Sequence, residues 1–367
     1  MPRTGRLLLI LAVALPLALA SSGSAVAGDA LSVSEFKIDY DTMCSIRDQW
    51  VEEQLRTHPE GTWAPMEFHP TDQQLAAMGL PSAEILASRE YDVPTLVTKS
   101  GRAVRLDPKE FEAAALPALA TYAGNGCLGI RPGAWLLLLT GGGIGWCSMA
   151  HVYGSPGSYD ISTAGHCGRT GETATVIAAF GNRGDLAGPV LLDFGKFATS
   201  HDNGLGNDWA LIDIFARYQS LVTPTMCFWG GPRGMYTKTG GVATVNNGSV
   251  TINPDPFLAQ AVVHYGHGLG TGPGGTPRAG TSIHWGASHF MFFGAISFGD
   301  SGSGANTLTG DSVGSNMEAA GIMTHLYIDP LMRRGLGIMG GTRATAVSGT
   351  LANGQIVPYP VPISGLP

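Results

Sequence analysis

Apolar and polar residues change rhythm about a third of the way along the chain. Before residue 127 the apolar positions suit helices broken by caps and stops; beyond Gly129 they come as short runs separated by turn residues. In the first part, Asp41 fits the N-cap of a helix running through Trp50 and Leu55 and ended by His58-Pro59. Thr71 precedes a second, Asp72 to Met78, with Gly79 as its stop. Asp107-Pro108-Lys109-Glu110 opens a third, with an N-cap, a proline at the first helical position and an acid at the third. In the second part, Trp135 to Leu139 is a continuous apolar run suited to a buried strand. Cys147 to Tyr153 and Tyr159 to Thr163 read as strands around the turn Ser155-Pro156-Gly157. Further short strands follow, with turns at Gly181-Asn182 and Arg183-Gly184. Asp208 leads into the apolar run Trp209 to Ile214. Val242 to Ile252 is hairpin-like around Asn246-Asn247-Gly248. Ala261 to Tyr265 and Ala319 to Met323 are further strands. A stretch rich in Pro and Gly, Arg217 to Gly234, separates two groups of strands, and the tail from Gly337 shows no clear pattern.

Composition supports this division. The chain has 367 residues, 44% hydrophobic and 13% charged, so it can bury a core and is not disordered by composition. Its 53 Gly and 23 Pro favour strands and turns over long helices. The net charge of −7 argues against a nucleic-acid partner. Residues 28–127 carry 8 Lys+Arg against 16 Asp+Glu, whereas residues 128–367 carry 11 against 12. The acidic excess therefore lies in the first part, and a boundary falls near Cys127. Arg3 and Arg6 precede an apolar run from Leu7 to Ala20, which reads as a secretory signal peptide ending at Ala25-Val26-Ala27 or Ala18-Leu19-Ala20. No later apolar run is long enough to span a bilayer, so a soluble, extracellular protein is expected.

Three stretches carry chemistry. Phe298-Gly299-Asp300-Ser301-Gly302-Ser303-Gly304 is a glycine-rich loop that can turn sharply. It can aim the N–H groups of Gly299 and Ser301 at one point beside a hydroxyl, which describes an oxyanion hole next to a nucleophile. Ser162-Thr163-Ala164-Gly165-His166-Cys167 places a histidine just past a strand end, where chemistry is commonly carried. Asp208 enters an apolar strand, is desolvated there, and needs a partner such as a histidine N–H. Asp202, in a polar stretch, and Asp213, alternating within the strand, compete for that role. His264, His267, His284 and His289 invite a metal reading, but their spacing is loose and no Cys or carboxylate supports it, so no metal or other cofactor is expected.

Those three stretches, in the order His, Asp, Ser, resemble the T-A-[AG]-H-C, D-x-A-L and G-D-S-G motifs of the chymotrypsin-like (trypsin-like) serine peptidases, as in secreted bacterial members. His166 to Asp208 is 42 positions and Asp208 to Ser301 is 93, natural for that family. The resemblance covers about residues 128–340. It implies an all-β fold of two antiparallel six-stranded β-barrels, here preceded by a mainly helical N-terminal segment. The expected organisation is a signal peptide at 1–27, an acidic, mainly helical N-terminal region at 28–127 that is either a pro-segment, the preferred reading, or a part retained in the mature enzyme, a peptidase domain at 128–345 and an irregular tail at 346–367. The implied activity is peptide-bond hydrolysis by a monomeric enzyme on polypeptide substrates. His166 would take the Ser301 proton and pass it to the leaving amine, Asp208 would orient the imidazole, and Gly299 and Ser301 N–H groups would hold the oxyanion.

The resemblance also implies a Cys147–Cys167 bridge and a second between Cys127 and Cys227, leaving Cys44 over among the five cysteines. In animal relatives the partner of the residue at Asp300 is a newly released N-terminus. No matching start stands near residue 128, so Arg131 or Arg183 is expected to replace it. The specificity pocket maps to Ala295, six positions before Ser301, and to Thr324 and Leu326 on the later strand. An uncharged, narrowed pocket implies cleavage after small or medium apolar residues, with His325 leaving an acidic preference as second choice. Two other readings stay open: an inactive peptidase-like binding module, and an esterase, whose nucleophile elbow would need Gly where Ser303 stands.

Overall fold

The computed structural model describes residues 37–39, 70–77, 79–119, 129–140, 143–204, 206–240, 243–246, 249–252, 260–267, 275–296, 299–308, 317–327, 336–351 and 354–358. The expected signal peptide, the helix expected after Asp41, Cys44 and Cys127 lie outside these residues. In chain order the elements are β1 (Lys37–Asp39), α1 (Asp72–Ala77), α2 (Ala83–Ala87), β2 (Thr95–Val97), β3 (Ala103–Arg105) and α3 (Pro108–Leu119). The strands β4 (Trp135–Thr140), β5 (Gly143–Ser148), β6 (Val152–Ser155), β7 (Ser158–Thr163), β8 (Thr173–Arg183), β9 (Leu186–Asp202) and β10 (Asp208–Ile214) follow. Then come β11 (Ala243–Asn246), β12 (Ser249–Ile252), β13 (Ala261–Gly266), β14 (Thr276–Trp285), β15 (His289–Ala295), β16 (Gly304–Leu308), β17 (Met317–Tyr327), β18 (Leu336–Arg343) and α4 (Ala344–Ser348).

The fold is all-β, as expected. Strands β13 to β18 close a six-stranded barrel in the order β13-β14-β15-β18-β17-β16. The other large sheet has nine strands, along the path β5-β4-β8-β9-β10-β7-β6 with β2 and β3 attached through β9. Those two attached strands come from the N-terminal region, which is thus less purely helical than its sequence suggests. Strands β1, β12 and β11 form a separate three-stranded sheet.

The helices that do form in that region start and stop as their caps dictate. Thr71 Oγ1 accepts from Gln74 N at 3.3 Å while Gln74 Oε1 accepts from Thr71 N at 2.8 Å, a reciprocal capping box at the start of α1. Gly79, at φ +82°, ends it. Asp107 Oδ1 accepts from Lys109 N and Glu110 N at 2.9 and 3.0 Å, capping α3.

The apolar run in β4 has a physical consequence. Successive side chains of a strand face opposite sides, so a continuous run must be covered twice. Leu136 and Leu138 point into the core of the nine-stranded sheet with Val176, Leu192 and Ile212. Trp135 and Leu137 face the other way, with Trp146, Ile177 and Leu191. That outer face is covered by Leu75, Leu80, Leu86, Tyr91 and Val97 of the N-terminal region. Backbone bonds lock the cover down: Tyr91 N donates to Asp193 Oδ2, and Asp193 N to the Tyr91 carbonyl, both at 2.8 Å.

The C-terminal stretch is more regular than its composition implies. Strand β18 pairs with both β15 and β17 and so closes the barrel. Its glycines fit a close approach: a Cβ on Gly341 would strike the ring of Phe290. Residues 354–358 also pair, with Val357 N donating to the Val152 carbonyl at 2.9 Å.

Candidate active site

His166 sits in a 3-10 turn, Gly165–Cys167, directly after β7. Cys167 is disulfide-bonded to Cys147 on β5, with a Cα–Cα distance of 6.1 Å, so the turn is tied to a neighbouring strand. Gly165 is obligatory there, because a Cβ would run into the His201 carbonyl. Asp208, the first residue of β10, is completely buried. A buried carboxylate must be met by donors, and donors from the His166 turn converge on it. Oδ1 accepts from the backbone N of Gly165 at 2.6 Å and of His166 at 3.0 Å, and Oδ2 is 2.8 Å from His166 Nδ1. An ionised carboxylate only accepts, so Nδ1 carries the ring proton and Nε2 is the basic nitrogen. Thr342 on β18 fixes the backbone of Asp208, its Oγ1 donating to the Asp208 carbonyl at 2.9 Å. The six-stranded barrel thereby helps to place Asp208 of the nine-stranded sheet.

Of the two competing aspartates, Asp213 is exposed, as its alternation implied. Asp202 is only partly accessible and stands directly across the β9–β10 ladder from Asp208. It is less solvated than its polar surroundings suggested. Burial, reinforced by the charge of Asp208 and opposed by His166, pushes its carboxyl up to about 6. For His166, burial pulls the imidazole pKa down, but Asp208, by charge and hydrogen bond, and Asp202 push it up. The net shift is above the usual 6.5.

The serine loop docks on the same two strands that hold the histidine. Ser148, the neighbour of Cys147, donates its N–H to the Ser301 carbonyl at 2.8 Å and its hydroxyl to the Gly299 carbonyl at 3.0 Å. Gly302 has φ +83°, and a Cβ there would strike Thr163 Oγ1 and the Ser148 carbonyl and come within 3.1 Å of Ala164 N. The loop thus lies against the end of β7, three positions before His166. Gly299, at φ +100°, also takes the conformation that favours glycine. Ser301 is partly exposed, whereas Asp300, Gly302 and Ser303 are buried. That difference favours Ser301 over Ser303 as an accessible nucleophile.

The partner of Asp300 corrects the sequence-based expectation. It is Arg278 on β14, in a fully buried ion pair. Arg131 instead donates from Nε to the Thr225 carbonyl at 2.9 Å, and Arg183 is exposed at the end of β8. No local signal could have chosen Arg278, because only the β13–β14–β15 pairing brings it to the loop. Ala295 and Thr324, expected to line a specificity pocket, are both buried, at the end of β15 and in β17. Leu326 lies in register with Met339 on β18, while its side chain and that of His325 are outside the described residues. Cys227 is disulfide-bonded, and its expected partner Cys127 lies outside the described residues. The residues that sequence reasoning missed are supporting ones: Ser148, Thr342 and Arg278.

No protein-family model matches the chain, and no curated protein matches it. It is similar to several solved serine protease structures. Thermobifida fusca Protease A is 16% identical at a TM-score of 0.35, the match covering 62% of this chain and 98% of that one. The thermostable serine protease AL20 from an extremophilic microorganism is 15% identical at a TM-score of 0.36, covering 57% and 89%. A glutamic-acid-specific serine protease that uses a histidine triad in substrate binding is 18% identical at a TM-score of 0.33, covering 62% and 100%. At such TM-scores these stand as similarities, and the chemistry below rests on this chain's own residues.

Proposed function

We propose that this protein is a secreted serine endopeptidase that cuts polypeptides through His166, Asp208 and Ser301 by way of an acyl-enzyme. The observation that carries the reading is the buried Asp208–His166 pair, beside which the Ser301 loop is docked on strands β5 and β7. A serine hydroxyl is a weak nucleophile at neutral pH and needs an adjacent base. His166 has its Nδ1 proton committed to Asp208, so Nε2 takes the Ser301 proton and later protonates the leaving amine. Asp208 stays ionised and stabilises the imidazolium that forms between these steps. The N–H groups of Gly299 and Ser301 hold the tetrahedral oxyanion, with about 3–4 kcal/mol at stake per donor. Cleavage follows small or medium apolar residues, since buried, uncharged Ala295 and Thr324 offer no counter-charge to a basic side chain; an acidic preference ranks second. Among the described residues no helix is long and apolar enough to cross a membrane.

The test is hydrolysis of a peptide library by the wild-type protein and by Ser301→Ala. Wild-type cleavage after apolar residues, abolished in a variant that stays folded, is expected. Full residual activity in Ser301→Ala would remove Ser301 as nucleophile, and dominant cleavage after Lys or Arg would overturn the pocket argument.

A further inference from the structure

His264, in the middle of β13, is completely buried and takes no part in the chemistry described above. Its Nε2 lies 3.0 Å from the Ala295 carbonyl. A carbonyl only accepts, so Nε2 carries the proton, and in a neutral ring Nδ1 is then an acceptor. Nδ1 faces the Ser303 hydroxyl at 3.4 Å, so Ser303 donates to it. Ala295 comes six positions before Ser301 and Ser303 two after it. One ring therefore holds both ends of the segment that carries the nucleophile.

The ring is itself well fixed. It meets Phe292 edge-on, with centroids 5.5 Å apart, and the His264 carbonyl accepts from Trp229 Nε1 at 2.8 Å. His264 is the direct cross-strand partner of Arg278 in the β13–β14 ladder. Directly opposed residues project from the same face of a sheet, and here both grip the same loop. Arg278 holds its middle through Asp300, and His264 holds its two ends. Burial, reinforced by Arg278 and opposed by Asp300, pulls the imidazole pKa of His264 down to about 4, so the ring is uncharged at neutral pH.

We infer that His264 is a positioning residue, a neutral imidazole clamp that works with Arg278 to hold Ser301 in register with His166. This rests on the serine peptidase reading. A supporting group of this kind matters because a shift of about 1 Å in a reacting group can cost about 100-fold in rate.

The experiment compares full-length wild type with Ser303→Ala, His264→Gln and His264→Phe, with kcat expressed per titrated active site. Ser303→Ala removes one end of the clamp. It is expected to lower kcat and the rate of labelling by a small fluorophosphonate, which needs no specificity pocket, by about 10-fold each, with KM within about twofold. His264→Gln keeps a donor and an acceptor and is expected to retain more activity than His264→Phe. Hydrogen exchange of the peptide spanning residues 299–308 is read in parallel and is expected to quicken in Ser303→Ala. Wild-type kcat per active site in folded Ser303→Ala, or a folded His264→Phe as active as His264→Gln, would overturn the clamp. An inert wild-type protein would instead sink the peptidase reading. The clamp would then stand or fall on the exchange data, unchanged exchange in Ser303→Ala overturning it.

Discussion

The N-terminal region is expected to be indispensable to the folded enzyme, and removing it tests whether it is a detachable pro-segment. Leu75, Leu80, Leu86, Tyr91 and Val97 are each no more than 1% exposed against the outer face of the nine-stranded sheet. Burying one such side chain contributes about 1.5–3 kcal/mol, so the five together are worth on the order of 8–15 kcal/mol. A whole domain is stable by about 5–15 kcal/mol. Losing the cover also exposes Trp135, Leu137, Trp146, Ile177 and Leu191 and deprives β9 of its partner β2. Trp146 matters further, because its ring lies within 3.2 Å of where a Cβ on Gly299 would stand, under the proposed oxyanion loop. A chain starting at residue 107 is therefore expected to aggregate or bind a hydrophobic dye, with no cooperative thermal unfolding and no peptide hydrolysis. A protease site inserted between Arg105 and Asp107 and cut after folding should leave residues 70–105 bound through gel filtration. A truncated chain that melts like the full-length protein and hydrolyses peptide at the same rate would refute the reasoning. So would release of the cut segment from a still-active enzyme.

Other expectations follow from the same geometry. The base must be neutral, and His166 has a raised pKa, so kcat/KM should rise with pH through a value above 6.5. Removing the Asp202 charge favours the imidazolium less, so Asp202→Asn should move that acid limb to lower pH; an unmoved limb would separate Asp202 from the site. The same raised pKa means that the His166–Asp208 pair stabilises the fold fully below the unfolded value near 6.5 and loses that contribution as pH rises through the folded one. Arg278→Ala leaves Asp300 buried without its cation and should cost about 3–5 kcal/mol in denaturant unfolding; a loss under about 1 kcal/mol would contradict the buried pairing. Replacing Cys147 and Cys167 together with Ser should cost about 3 kcal/mol, given the 20-residue separation, with activity falling further because both the His166 turn and Ser148 hang on that bridge.

What was legible in the sequence was whatever local chemistry dictates. Asp107-Pro108 fixed the start of α3 through a cap that needs no tertiary context. An aspartate heading the apolar run of β10 had to be paired, and it is. Long-range choices left no such trace. Arg278 meets Asp300 only because β13, β14 and β15 pair side by side in the barrel, and the sequence offered Arg131 and Arg183 on equal terms. Strands β2 and β3 have three residues each, too short for periodicity to register. Strand β18 was hidden by the glycines that let Phe290 pack against it. The solvation of Asp202 was misjudged because its neighbours in sequence are polar, while its neighbour across the ladder is Asp208.

The most direct measurement is covalent labelling of the full-length protein with a fluorophosphonate, followed by peptide mass mapping. One adduct per chain on Ser301 is predicted, lost in Ser301→Ala and strongly slowed in His166→Gln, since the hydroxyl is activated only through the imidazole. An adduct on Ser303 or elsewhere, or labelling of Ser301 that proceeds unchanged without His166, would contradict the triad.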